Sequence, residues 1–353
     1  MSVARPYRAL TLAALLLAGC ETRAPALSAV GGPSPREPLA PPAALVSRLG
    51  ALARGFDGRV GIAVEDVQAG WVASYDGQRL YPQQSVSKLC TAIAVLDLVD
   101  RGRTQLSDPV LVRKEDMSVF NQPIQTHLTD AGYPTTIGDL LVGAIAQSDN
   151  AADDILIGRI GGPHVVQGAL ARRKARGIRC GPQEHVLESK VAGLDWRPEY
   201  SFGRTFWDAR DKVDPAVRAA KLQAYLDNPD DGATPVALVR LLARLKRGEL
   251  LSAASTARLL DIMTATRTGP LRLPGGLGPG WTIAHKTGTG QDLEDLSTGN
   301  NDVGLLTAPD GRTYAVAVMI ASTRQPVPER QRLMADTARA VVGLHDGVDS
   351  ALP

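Results

Sequence analysis

Residues 85–100 read SVSKLCTAIAVLDLVD, opening on Ser85-Val86-Ser87-Lys88. The stretch predicts a helix over 85–100, with Leu89, Ile93, Ala94 and Leu96 supplying apolar faces. A serine in the first turn lies over the positive helix end and its unpaired N–H groups. A lysine three residues on shares its face, so the Lys88 amine can reach Ser85 Oγ. A serine hydroxyl is a poor nucleophile until something takes its proton. Burial of Lys88 among neighbouring cations would lower its pKa toward base strength. A helix-capping serine followed by a surface lysine would give the same letters.

Two further motifs follow in order. Ser148-Asp149-Asn150 separates two expected helices, Ile137–Ala146 and Ala151–Ile160. All three residues favour helix starts, and Asp149 is expected to serve as the cap, pointing away from any substrate. Lys286-Thr287-Gly288 closes the expected strand Trp281–Lys286. A glycine there lets a ligand approach the backbone closely.

S-x-x-K, S-D-N and K-T-G in this order resemble the motif set of class A serine β-lactamases, relatives of penicillin-binding proteins. The resemblance implies a serine nucleophile, Ser85, with Lys88 beside it. Ser148 would relay a proton to the lactam nitrogen. Asn150 would hold Lys88 and the substrate amide carbonyl. Lys286 and Thr287 would bind the substrate carboxylate. The N–H groups of Ser85 and Thr289 would form an oxyanion hole, worth about 3 kcal/mol per donor. Arg272, shortly before Trp281, would brace the carboxylate site or serve in a structural ion pair.

Acylation is common to β-lactamases and D-alanyl-D-alanine peptidases; fast deacylation is not. In class A enzymes a glutamate in an R-x-E-x-x-L-N loop activates the hydrolytic water. An ungapped register from Asn150, through Ile160-Gly161-Gly162-Pro163, places Glu184 there and Leu187 three residues later. Pro182 stands at the arginine position and Glu188 at the asparagine position, where a second carboxylate would raise Glu184's pKa or share its role. A rival register uses Glu199 of Arg197-Pro198-Glu199. The readings to separate are β-lactam hydrolysis, a slowly deacylating peptidase acting on peptidoglycan, and a non-catalytic cell-wall binding lipoprotein.

Working outward, a helix is expected at Ala44–Arg54, strands at Arg59–Val67 and Gly70–Tyr75, and helices through the middle, among them Pro163–Arg176, Pro215–Leu226, Pro235–Lys246 and Ser252–Thr264. Strands return at Asp302–Thr307 and Thr313–Ser322, before a last helix at Glu329–Leu344. This pattern predicts an α/β class: an antiparallel sheet flanked by helices and built from both termini, plus an all-helical second domain. The catalytic domain is expected over 43–346, with its sheet part at 43–84 and 270–346, its helical part at 85–269, and the active site in the cleft between. An extra insert is expected at about 189–229, which makes this part roughly thirty residues longer than is usual in the family it resembles. Trp196, Phe202, Phe206, Trp207 and Tyr225 fall in it, in a chain only 4% aromatic, which predicts an ordered, partly helical flap.

Arg5 and Arg8 precede an apolar run, Ala9–Ala18, too short to span a bilayer. The run ends Leu17-Ala18-Gly19-Cys20, which resembles a bacterial lipobox, so 1–20 reads as a signal peptide with Cys20 lipidated. An ordinary cleaved signal is the alternative. Glu21 after the cysteine favours the outer membrane, and Pro-rich 21–42 reads as a tether. The expected location is periplasmic and lipid-anchored, as a monomer. Cys90 and Cys180 leave a disulfide open. With a formal net charge of +2 and no basic tract, nucleic acid is not an expected partner. Five histidines without H-x-x-x-H spacing argue against a zinc hydrolase, and no cofactor is expected.

Overall fold

The computed structural model describes residues 1–2 and 39–347; the leader, Cys20 and most of the tether lie outside the described residues. Six strands form the main sheet: β1 Gly58–Asp66, β2 Val72–Tyr75, β3 Thr282–Gly288, β4 Asp292–Leu293, β5 Leu296–Thr307 and β6 Thr313–Thr323. Their order is β2-β1-β6-β5-β3, all antiparallel, with β4 pairing β5. The sheet is thus assembled from both ends of the chain, and β3 is an edge strand.

Central strand β6 is buried on both faces, and its alternation sorts side chains by size. Tyr314, Val316, Val318 and Ile320 face one core; Ala315, Ala317, Met319 and Ala321 face the other. The larger set packs on the terminal helices α1 (Ala43–Arg54) and α11 (Val327–His345). The mostly small set admits the close approach of the helical body. That body contains α2 (Lys88–Asp100), α3 (Ile137–Ala146), α4 (Asn150–Arg159), α5 (Pro163–Arg172), α9 (Pro235–Lys246) and α10 (Ala253–Thr264). Every α2 residue from Lys88 to Asp97 is buried, as a helix apolar all round requires.

Between α5 and α9 lie α6 (Glu184–Ala192), α7 (Thr205–Arg210) and α8 (Pro215–Asp227). They carry two small cores of their own: Leu187, Val191, Leu222, Tyr225 and Leu226 in one, Val119, Ala192 and Phe206 in the other. Residues 189–229 are thus partly helical.

Two boundaries differ from the sequence reading by four residues or more, and the helix expected from Ser85 begins at Lys88 behind a 3-10 turn. Helix α5 stops at Arg172, because Lys174 takes a left-handed conformation (φ 55°). Strand β5 begins at Leu296, not Asp302, because its register with β6 runs on through Asn300↔Ile320 to Ser297↔Thr323. Cys90 and Cys180 are free, buried thiols.

Candidate active site

Ser85 lies in a 3-10 turn, Gln84–Ser87, that leads directly into α2. The turn is pinned to the sheet: Asn301 Nδ2 on β5 donates to the Pro82 and Gln83 carbonyls at 2.8 and 3.0 Å. Gly288 at the end of β3 is dictated by the same proximity, since a Cβ there would meet Gln83 O at 2.4 Å. Just before Ser85, Gln84 adopts φ 53°. Its backbone N–H donates to Asp231 Oδ2 (2.6 Å), its Nε2 to Tyr225 Oη (2.7 Å), and Tyr225 Oη to Asp231 Oδ1 (2.9 Å). A left-handed non-glycine residue persists only where its surroundings over-determine it, and this triangle does so.

Lys88 is fully buried and gathers the centre. Its Nζ donates to Ser85 Oγ at 2.9 Å, to Asn150 Oδ1 at 2.9 Å, and to the Glu184 carboxylate in an ion pair. The expected cationic neighbourhood is corrected here. Burial by itself would lower the Lys88 pKa, but Glu184, Asp153 and Asp154 outweigh it, so the amine is held above its ordinary value and charged. Asp153 beside it is pushed up to about 7 by burial.

Asp149 caps α4, accepting from Ala152 N (2.9 Å), and also takes the Ile124 N–H (2.6 Å), so it faces away from the centre. Ser148 is again left-handed (φ 57°). Its Oγ accepts from Lys286 Nζ at 2.8 Å. Lys286 is buried without a carboxylate on its amine; burial, then the charge of Lys88, push its pKa well below the usual lysine value. Thr287 Oγ1 is 2.7 Å from Thr268 Oγ1. Arg272 donates to the Gly288 and Asn301 carbonyls (3.0 and 2.7 Å) and to Thr289 Oγ1 (2.8 Å), tying the end of β3 to β5. Among the described residues, neither the Ser85 nor the Thr289 backbone N–H is taken by a backbone acceptor.

Glu184 is the first residue of α6. Asp154 on α4 seats it there, accepting from the Glu184 and His185 N–H groups at 2.6 and 3.2 Å. Glu188, one turn on, is buried and pushed up to about 8, by burial and then by the Glu184 charge. Gln291 Nε2 donates to its Oε2 (2.7 Å) and its carbonyl (2.9 Å). Glu199 is exposed, in a separate 3-10 turn Pro198–Ser201, and joins none of these contacts. Of the two registers, the one through Glu184 reaches the lysine.

The "Beta-lactamase enzyme family" model matches residues 44–344. The chain belongs to this β-lactamase family. It is 26% identical to β-lactamase VEB-1 of Pseudomonas aeruginosa over 284 residues, 80% of this chain and 83% of that one. It is 27% identical to the extended-spectrum β-lactamase PER-1 of the same organism, over 73% of each chain. Among solved structures, a β-lactamase from Chitinophaga pinensis superposes with a TM-score of 0.69 at 26% identity, covering 85% of this chain and 99% of that one. An ancestral class A β-lactamase gives 0.66 at 28% identity, covering 85% and 99%. As in the expected β-lactamase plan, the antiparallel sheet is flanked by helices.

The sequence reading did not single out Asn301, Gln84, Tyr225, Asp231, Asp154 or Gln291, although each holds a part of this β-lactamase site. The one available signal was the D-x-x-T-P run Asp231-Gly232-Ala233-Thr234-Pro235, which opens α9.

Proposed function

We propose that the chain hydrolyses β-lactams through an acyl-enzyme on Ser85. The observation that carries this reading is the single buried amine of Lys88 touching the Ser85 hydroxyl, the Asn150 carboxamide and the Glu184 carboxylate. With Lys88 charged at rest, the proton acceptor within that group is Glu184. Ser85 Oγ attacks the lactam carbonyl as its proton leaves through Lys88 to Glu184. The Ser85 and Thr289 N–H groups receive the oxyanion. Ser148 protonates the departing nitrogen and is reprotonated by the proton that Glu184 gives back through Lys88, so Glu184 is a carboxylate again. The Lys286 amine pairs with the substrate carboxylate, with Thr287 beside it. Glu184 then takes a proton from water as that water attacks the ester, and returns it through Lys88 to the departing Ser85 Oγ. Glu188 and Gln291 fix the floor on which that water would sit.

A glutamate on the lysine supports hydrolysis over the slowly deacylating peptidase. Purified protein mixed with a chromogenic cephalosporin should give many turnovers. A single stoichiometric burst would instead support the peptidase reading and peptidoglycan fragments as ligands.

Export fits the same reading. We take Cys20 as the lipidated residue and the outer membrane as the anchor, supported by the Leu17–Cys20 motif and the Pro-rich segment after it. No helix among the described residues is long and apolar enough to cross a membrane. Cys20→Ala should leave activity intact and move the protein out of the membrane fraction; a wild-type protein found wholly soluble would remove the anchor.

A further inference from the structure

The geometry points to Trp207, on the insert, as a specificity-determining residue: with Phe120 it forms the seat for an aromatic acylamino side chain of the β-lactam. The inference rests on the hydrolase reading above.

Residues Val119-Phe120-Asn121 cross the mouth of the site. Val119 O accepts from Asn150 Nδ2 at 2.9 Å, and Asn121 Nδ2 donates to the carbonyls of Gln147 (2.8 Å) and Ser148 (2.9 Å). Phe120 is thereby fixed beside the proton relay and the carboxamide. It is left-handed (φ 62°) and 36% exposed, unusual for a phenylalanine. Its ring stacks on Trp207 at 5.0 Å and 25°, and meets buried Phe206 edge-on at 4.9 Å. Trp207 is itself only partly buried.

From Trp207 the contact runs to the opposite wall. The Arg210 guanidinium lies 4.5 Å from the Trp207 ring centroid. Its Nη1 donates to Gln291 Oε1 (3.1 Å), three residues beyond Gly288, and Gln291 holds Glu188. Helix α7 therefore bridges the Asn150 wall and the Lys286 wall. Bracing on both sides keeps the Phe120–Trp207 pair in place when no ligand is bound.

A β-lactam placed by this site has a polarity. Its carboxylate goes to Lys286 and Thr287, its amide carbonyl to Asn150. Whatever lies beyond that carbonyl runs on past Asn150 to the Val119–Asn121 crossing and its two partly exposed rings. Flat aromatic groups stack favourably on such a surface, and a preordered surface loses little entropy in accepting them.

The test compares acylation of Ser85, by intact mass, with benzylpenicillin, which carries a phenylacetamido group, and with 6-aminopenicillanic acid, which carries none. Trp207→Ala should slow acylation by benzylpenicillin about tenfold. The rate with 6-aminopenicillanic acid should stay within about twofold, and Trp207→Phe should restore most of the difference. Equal losses with both compounds, or no loss with either, would overturn the inference. Acylation is read before turnover, so a wild type that acylates but fails to deacylate refutes the hydrolase reading while leaving the side-chain comparison measurable. Absence of any adduct on wild type refutes both.

Discussion

The acylation corner and the deacylation loop meet at one lysine yet are built on opposite plans. The corner, residues 83–88, 148–150 and 286–289, stands on α2, α4 and the edge of the sheet. Its chemistry is fixed by short spacings within single elements. The loop and insert, residues 182–231, hang on long-range polar contacts: Asp154 under Glu184, Gln291 under Glu188, and Tyr225 with Asp231 under Gln84. Asp231 is buried, pushed up to about 7 by that burial, and has no ion-pair partner among the described residues. The nucleophile turn is thus supported from behind by a tyrosine that belongs to the insert.

Removing the nucleophile should have the largest effect. Ser85→Ala is expected to abolish the penicilloyl adduct seen on wild type by intact mass. An adduct persisting at the same rate would take Ser85 out of the mechanism and leave the corner without its chemistry.

Tyr225→Phe probes whether the two regions depend on each other. It removes one hydroxyl from a buried triangle, leaving Gln84 Nε2 and Asp231 Oδ1 unpaired. Urea unfolding should show a loss of about 1–3 kcal/mol, and acylation should slow, since Gln84 is no longer pinned. A loss of stability with acylation unchanged would mean that the insert supports only itself.

Glu188 predicts a smaller, pH-dependent effect. Its folded pKa, about 8, lies above the ordinary 4.5. The folded state therefore holds a proton that the unfolded chain has released. This group's contribution is intact below about 4.5 and falls as pH rises, flattening above about 8. Wild type should lose stability across that window, and Glu188→Gln, which keeps an uncharged group against Gln291, should lose less. Identical profiles would assign the pH dependence elsewhere, first to Asp231 and Asp153.

What could be read from sequence follows the same division. Ser85 with Lys88, and the cap at Asp149, involve neighbours on one helix or turn, so spacing exposes them. The edge strand ending in Lys286-Thr287-Gly288 was legible by alternation. The start of β5 was not, because buried Ser297, Thr298, Asn300 and Asn301 make it polar where a strand inside a core is expected to be apolar. Nor was the sign of the Lys88 shift: its partners Glu184 and Asp153 come from two other elements, and only their convergence in space makes the pocket anionic. Glu184 itself was legible by register, but Asp154, Tyr225 and Gln291 were not. Each of these supports lies 30 to 141 residues from the group it holds, and no local pattern marks such pairs.

The central claim is that this loop, with its insert, delivers Glu184 to Lys88 as the base for deacylation. Single-turnover and steady-state kinetics of Glu184→Ala with benzylpenicillin test it most directly. Without the Glu184 charge, burial brings the Lys88 pKa down, so Lys88 itself takes the Ser85 proton; the claim then predicts a burst, an acyl-enzyme that persists on intact-mass analysis, and turnover slower by about a hundredfold or more. Near wild-type turnover in Glu184→Ala, with the adduct trapped instead by Glu199→Ala, would contradict it.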